Sequence, residues 1–590
     1  MFKFIRNRIL GAIGVLFAAV FAVFTILTYL PGSRLRYLPI QGENDLLDRY
    51  FALIKASPNL LTRYLRYMYN IITRFHFTSN FRHHDLSAEI LTRTRLTLLL
   101  TVLGFVFIVV FGIILGVIAA HKRGTWIDRL ISGASMFLAS IPPFCLAIYL
   151  ALIFCLGLKL LPVFGYAKPV NFILPTVTVS AAALANVIQI CRFQVIEELN
   201  KPYVRNLQSR GQRESVILFR HALKNALIPT VSVIREMTAT IFMSTFIAEW
   251  FYAIPGIGYY MIKAINSRDY GVILACTVVI AIFIIIFNII SDVVYCLLDP
   301  KMRSKEMGTV RMFRRAMKRF LHNRVALAAL IIFTLLLLSC VVFPLLGYSD
   351  YESLHLDQQY APISLQHPFS TDNLGRDFFT RMMVGGRYTL GLSLVSTVLA
   401  VLFGTVIGTL SAYKGGLLDR IVVSLCDALS AVPYILIVII IEVALGWGKG
   451  YFSLAIAIAR MPSVIQTIRA AVLSVREKEF ISAAKVLGKS DWYIITRHVM
   501  RNVYSTILVQ FCSTYGASIV ACSVLGYLEI GISSPVPEWG RMVADYFHLI
   551  QSRGHLVSIP CLFISVSVLC ITMITNGLRD ALDPKEYQHE

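Results

Sequence analysis

Negative charge is scarce in this 590-residue chain: 33 Asp and Glu stand against 55 Lys and Arg, and charged residues make up only 15%. A soluble domain carries roughly a quarter of its residues as charges. With 57% hydrophobic residues and a mean hydropathy of +0.70, the chain is excluded from the soluble globular class. Cysteine is sparse too. Ten of the eleven lie inside apolar runs and Cys191 sits at the end of one, which argues against a disulfide framework and for small apolar residues. No H-E-x-x-H and no nucleophile with an adjacent base occurs, so no catalytic residue and no metal site is expected.

What the chain has instead is long apolar runs. Runs of the roughly 20 residues needed to cross a bilayer occur near 9–30, 97–120, 133–160, 171–191, 227–248 and 272–297, and again near 325–346, 389–412, 421–446, 451–468, 504–527 and 556–577. Backbone groups in lipid must be satisfied internally, so these are expected to be helices. The expectation is an all-α membrane protein with twelve transmembrane helices.

The net charge of +22 tracks the spans. Residues 192–224 and 469–501 each hold seven Lys or Arg and three Asp or Glu, and 301–324 holds nine basic residues against Glu306 alone. Segment 348–386, on the opposite side, holds two basic and five acidic residues. By the positive-inside rule the basic loops and both termini are cytoplasmic, and no nucleic-acid partner is needed to explain the charge. The amino-terminal run after Lys3, Arg6 and Arg8 is too long for an ordinary signal core and no A-x-A site comes after it. It is expected to remain as an anchor.

The chain also repeats itself. Arg192, Gly211 and His221 recur as Arg469, Gly488 and His498, each pair 277 positions apart, and Asn225 and Asn502 extend the pattern. Asp128-Arg129 matches Asp419-Arg420, Pro142 matches Pro433, and Leu298-Asp299-Pro300 matches Leu582-Asp583-Pro584. The repeat implies two homologous six-span halves of the same orientation, 1–300 and 325–590, joined by a cytoplasmic linker or amphipathic elbow helix at 301–324. Within each half one loop, 203–221 or 479–498, sets Val, Leu and Ile among charges at helical spacing around a central glycine. That pattern predicts a short helix, a glycine-permitted bend and a second helix feeding the next span. On composition alone such an element could rest on lipid headgroups.

These residues carry a resemblance. The glycine-to-histidine spacing and the "SAAKVLG" that ends at Gly488 resemble the coupling loop of ABC-importer permeases. "HPFSTDNLGRDFFTRMMVGGR", "SPVPEWGRMVADY" and "NGLRDALDP" resemble one permease subunit of the dipeptide, oligopeptide and nickel importer family. "FKFIRNRIL", "SIPPF", "PGIGYYMIKAINSRDY" and "LLDP" are similar to its partner subunit, so both subunits are fused here in one chain. The resemblance implies the type I ABC importer permease fold in a bacterial plasma (inner) membrane. It implies a lipid-embedded pathway served by two ABC ATPase subunits or one heterodimer, and by an extracytoplasmic substrate-binding protein that meets 250–271 and 528–555. It also implies no cofactor in this chain, ATP being bound by the partners.

The site residues implied are those of the coupling loops: Tyr203, Gly211, Arg220 and His221 in the first, and Glu479, Phe480, Ala483, Ala484, Gly488, Arg497 and His498 in the second. Asn206 and Leu207 stand where the second loop has the alanine pair, which makes the two docking faces unlike. The sequence singles out no substrate-contact residue. The rival expectation is a twelve-helix secondary transporter, because "GTWIDR" and "GGLLDR" resemble that superfamily's loop phrase, with Glu249, Glu442, Asp427 and Arg460 as ion-coupling candidates. The Gly-Arg-Arg continuation of that phrase is absent.

"AAKVLGKS" nearly spells a phosphate-binding loop, but Ala483 occupies the first required glycine and no strand precedes it. The purified chain, freed of partners, should therefore show no ATP hydrolysis above background in a phosphate-release assay. Turnover abolished by Lys489→Ala would contradict this.

Overall fold

In the computed structural model the described residues are nine positions between Gly14 and Thr28, Leu60–Arg74, Phe77, 86–298, Phe320, 323–346, 350–430, 432–445, 449–532 and 535–582. Among them the architecture is all-helical, the one β feature being an isolated bridge between Thr371 and Asp377. Eight of the described helices are long and apolar enough to cross a membrane: Ser87–His121, Pro169–Leu199, Tyr270–Phe287, Arg324–Leu345, Phe378–Lys414, Gly450–Arg476, Asp491–Tyr527 and Gly554–Leu582.

Two more of the expected spans are not straight rods. The segment near 133–160 is the pair Trp126–Ser140 and Pro143–Gly157, bent by 113°, and the segment near 421–446 is Gly416–Ser430 and Tyr434–Glu442, bent by 93°. Proline is the reason. Pro142 holds an extended backbone (ψ 144°) and Pro143 begins the next helix, because proline supplies no N–H and bars the helical conformation just before it. Counting each pair as one span gives ten among the described residues. The run near 227–248 falls on two helices, Leu223–Glu236 and Thr238–Phe251, joined through Met237, whose N–H reaches the Val233 carbonyl. The run near 9–30 lies mostly outside the described residues, as does most of the expected linker 301–324.

Packing separates two compact units, one of Met1–Asp128 with Leu161–Leu298, the other of Arg129–Leu160 with Asp299–Glu590. Residues Arg129–Leu160 of the first sequence half thus belong to the second unit, where Phe144 stacks on Tyr527 at 5.1 Å.

Each unit is centred on two long helices in close approach. In the first, a Cβ added at Gly112 would lie 2.7 Å from Val187 Cγ1, and one at Gly116 2.7 Å from Cys191 Cβ. In the second, Gly404 and Gly408 repeat the four-residue spacing against Val464, at 2.7 Å, and the Ile465 carbonyl oxygen, at 2.8 Å. Val187 and Val464 are themselves 277 positions apart, so the contact register is duplicated along with the sequence. Small residues four apart let helix backbones meet where lipid provides no hydrophobic drive for association.

At the end of the second unit remote from its loop, the "STDNLGRD" phrase forms a knot. Asp372 accepts hydrogen bonds from the N–H groups of Leu374 and Arg376, from Arg376 Nε and from the Tyr546 hydroxyl. Asp377 caps the long helix after it by accepting from the Thr380 N–H.

The glycine contact can be checked directly. Gly408→Leu should cost about 1–3 kcal/mol, because its Cβ meets backbone that cannot step aside. Gly391→Ala on the same helix, where a Cβ meets nothing within 4 Å, should be neutral or stabilising. Thermal unfolding in detergent separates the two.

Candidate functional site

The two loops fold alike. Short helices Pro202–Ser209 and Glu479–Val486 begin after Lys201 and Lys478, both extended. In the first loop that extension is enforced by the next residue, a proline, which then serves as the opening helical residue. Each helix stops in the same two-bond cap. Gly211 N–H reaches the Gln208 carbonyl at 2.9 Å and Gln212 N–H the Leu207 carbonyl at 3.2 Å; Gly488 reaches Lys485 at 2.9 Å and Lys489 reaches Ala484 at 3.2 Å. The cap requires a left-handed residue, and Gly211 and Gly488 have φ of 76° and 72°. The second helix starts at Glu214 or Asp491 and enters a π-helical turn, Ile217–Ala222 or Ile495–Val499. Arg220-His221 and Arg497-His498 sit in these turns. A π turn widens the helix by one residue and recurs at functional positions.

One face of each loop is held by its own unit. Ile481, Ala484, Ile494, Ile495 and Val499 are buried in a core with Tyr413, Val472 and Val475. In the first loop Leu218 joins Val117, Cys191 and Val195, and Val204 is buried. Lys201 and Tyr203 both bond Glu198. The hydrogen bond to Glu198 raises the Lys201 pKa, and burial together with that same carboxylate raises the Tyr203 pKa. Tyr413 donates to Asp491 Oδ1 at 2.9 Å in the second unit. A cleft of about 460 Å³, lined by residues including His121, Glu214 and Phe219, adjoins the first loop.

The opposite face is free. Gly211, Arg220, Glu479, Phe480, Ala483, Gly488 and Arg497 are exposed, while His221 and His498 are half-buried. His498 lies between the rings of Tyr493 and Phe480, with centroids 5.8 and 6.3 Å away. Of the alanine pair only Ala483 faces outward. Ala484 is turned into the core with Ile481, so its small size serves internal packing. The second loop's tip is apolar, with Val486 88% and Leu487 76% exposed, whereas the matching Ser209 and Arg210 of the first are polar.

Comparison with known proteins adds the family. The pattern for the inner membrane component of binding-protein-dependent transport systems matches residues 112–304 and 404–586, each match enclosing one loop. The chain belongs to that family. A further pattern, the N-terminal transmembrane domain of oligopeptide transport permease C, matches residues 311–368. The dipeptide transport system permease protein DppC of Alkalihalophilus pseudofirmus is 37% identical over 46% of this chain and 90% of its own length. The oligopeptide transport system permease protein OppC of Bacillus subtilis is 32% identical over 47% and 91%, and the glutathione transport system permease protein GsiD of Pectobacterium atrosepticum 33% identical over 48% and 95%. Each relative thus corresponds to about half of this chain, as fusion of two permease subunits requires. The protein is a multi-pass ABC-importer permease without an ATPase site of its own, and nothing supports the secondary transporter.

In this permease the repeated Arg192 and Arg469 have a definite partner. Arg192 donates from Nε and Nη2 to Asp128 at 2.6 and 2.8 Å, and Arg469 to Asp419 at 2.6 and 2.7 Å. These bidentate pairs tie the start of each bent helix pair to the helix that leads into the loop. Both members stand out in the sequence repeat, yet nothing in one dimension joins residues 64 and 50 positions apart. Asp427 and Arg460 are likewise engaged: Asp427 accepts from Gln466, and Arg460 donates to the Ala517 carbonyl and lies over the Tyr434 ring.

A double-mutant cycle on Asp419→Asn and Arg469→Gln, read by thermal unfolding in detergent, should give a coupling of about 1–2 kcal/mol, since the pair is bidentate but partly exposed. A coupling near zero would mean that the pair does not hold the loop helix.

Proposed function

We propose that this permease carries peptides inward as the membrane part of an ATP-driven importer, and that its two loops are the cytoplasmic couplers to the ATPases. The observation that carries the reading is the duplicated loop: helix and left-handed glycine cap at identical spacing, then a π turn ending at the matching residue, with one face anchored and the other exposed. An element built this way transmits motion, because its anchored face moves with the spanning helices while its free face docks. The peptide class is supported by the relatives, which are dipeptide, oligopeptide and glutathione permeases.

In this reading both termini and both loops are cytoplasmic, in a bacterial plasma membrane, and an extracytoplasmic binding protein delivers the substrate. Two ATPase subunits clamp on ATP and drive the loops between inward-open and outward-open states. The chain itself holds no cofactor. The two loops present different surfaces: Ala483, Val486 and Leu487 make an apolar, closely fitting face, while Asn206, Ser209 and Arg210 make a polar one. Well-packed grooves tolerate such differences in volume and polarity poorly, so the ATPases form a heterodimer.

Two measurements test this. Gly488→Val imposes about 1–2 kcal/mol of backbone strain at a positive φ. It should abolish transport and substrate-stimulated ATPase in the assembled complex while the chain still inserts; normal transport would refute the coupling role. Nine of the ten cysteines whose side chains are described are buried, so single cysteines placed at Arg210 and at Leu487 can be cross-linked selectively. Each should capture a different ATPase polypeptide, and capture of the same one in equal yield from both would refute the heterodimer.

A further inference from the structure

Glu249 and Glu538 occupy different places in their halves yet make the same joint. In the first half Thr97, on the long helix Ser87–His121, donates its hydroxyl to Glu249 Oε1 at 2.6 Å and accepts the Ile257 N–H at 2.8 Å. Glu249 Oε2 accepts the Tyr259 N–H at 3.1 Å. Ile257 and Tyr259 are the first and third residues of the short helix Ile257–Asn266. In the second half Thr389, on Phe378–Lys414, donates to Glu538 Oε1 at 2.8 Å and accepts the Trp539 N–H at 3.1 Å, and Glu538 Oε2 accepts the Arg541 N–H at 2.8 Å. Trp539 and Arg541 are again the first and third residues of a short helix, Trp539–Tyr546.

The carboxylate comes from opposite sides of this joint. Glu538 is the residue just before its short helix, whereas that position in the first half is Gly256, and Glu249 reaches in from the preceding helix. A Cβ on Gly256 would overlap the Glu249 carboxylate. In the second half the residue giving way on the preceding helix is Gly526, where a Cβ would overlap the Glu538 carboxylate. One glutamate and one glycine have exchanged places and the carboxylate has kept its contacts. The next glycines seal the joint: a Cβ on Gly258 would lie 2.7 Å from Phe246 Cα, and one on Gly540 2.7 Å from Ser523 Cα. Glu249 and Glu538 are fully buried in the structure. A buried carboxylate with all these donors present is a structural cap, since a charge at a helix start is favoured by the exposed N–H groups there.

We propose that Glu249 and Glu538 are positioning residues of one interchangeable joint, in which a carboxylate supplied from either of two chain positions fixes the short rim helix to the long spanning helix. The rim helices then present a set surface to the loaded binding protein. This last step rests on the importer reading; the joint itself does not. The position that carries the carboxylate is immaterial, and its contacts to threonine and to the third N–H are what matter. Gly256 has φ −85° and ψ −171°, an extended backbone open to any side chain, so a glutamate can be placed there.

Transplantation tests this in the full chain. Hydrogen exchange by mass spectrometry in nanodiscs, on peptides covering Ile257 and Tyr259, should speed up at least tenfold in Glu249→Gly. It should return to within about twofold of the parent in the double variant Glu249→Gly/Gly256→Glu. In the complex with its ATPases and binding protein, the concentration of loaded binding protein giving half-maximal uptake should rise several-fold in the single variant and recover in the double. If Glu249→Gly does not fold, recovery of folded chain by the second substitution is the same result. Unchanged exchange in the single variant, or a double variant no better than the single, overturns the joint. Restored exchange without restored uptake overturns its role in docking. If the parent complex shows no peptide uptake while exchange shows the expected pattern, the joint stands and the peptide-import reading fails.

Discussion

In each half of this permease, two long helices meet along glycines spaced four residues apart, and the placement of the loops depends on that contact. Gly112 and Gly116 admit Val187 and Cys191; Gly404 and Gly408 admit Val464 and the Ile465 carbonyl. Lipid tails are as apolar as leucine, so association here rests on fit and on dispersion between touching atoms. With the two backbones held this close, the far end of the second helix has a fixed position. There Arg192 and Arg469 meet Asp128 and Asp419, and the loops leave the bundle at a defined angle.

The loops inherit that order. Val204 and Ile481 are buried at matched positions, and Leu218 and Ile495 likewise occupy matched buried sites in their cores. What remains free is one face of a short helix ending in a left-handed glycine. The same device recurs at both loops with polar groups at one tip and apolar groups at the other, so the two exposed faces differ in chemistry. At the remote end the carboxylate joints show the complementary lesson. There the chemistry is kept while the residue that supplies it has moved, because a cap is defined by where the oxygens sit and not by which Cα carries them.

Much of this is legible in one dimension. Apolar run length announces helices, since an unsatisfied peptide group in hydrocarbon is costly whatever the side chains around it. The repeat of Arg192, Gly211 and His221 as Arg469, Gly488 and His498 locates both loops, and the central glycines mark the caps because no other residue takes a positive φ so readily. The prolines at 142, 143 and 433 are equally visible, yet run length alone carries a span straight through them; the turn angles of 113° and 93° depend on what each arm packs against. The outward or inward aspect of Ala483 and Ala484 is hidden for the same reason. Adjacent helical residues point about 100° apart, and only the core into which Ile481 falls decides which one faces out.

Composition and spacing along the chain were enough for the class of the molecule, the duplication, the family and the positions of the two repeated loops, because those properties are one-dimensional. Tertiary structure alone decided the partnerships. Asp128 finds Arg192, Tyr413 finds Asp491, and Thr97 finds Glu249 across 152 positions. A titratable residue within an apolar stretch reads from sequence as a candidate for ion coupling, and Glu249 is one. In three dimensions it is a cap, since the threonine hydroxyl and backbone N–H that occupy its oxygens come from elements that only folding brings together.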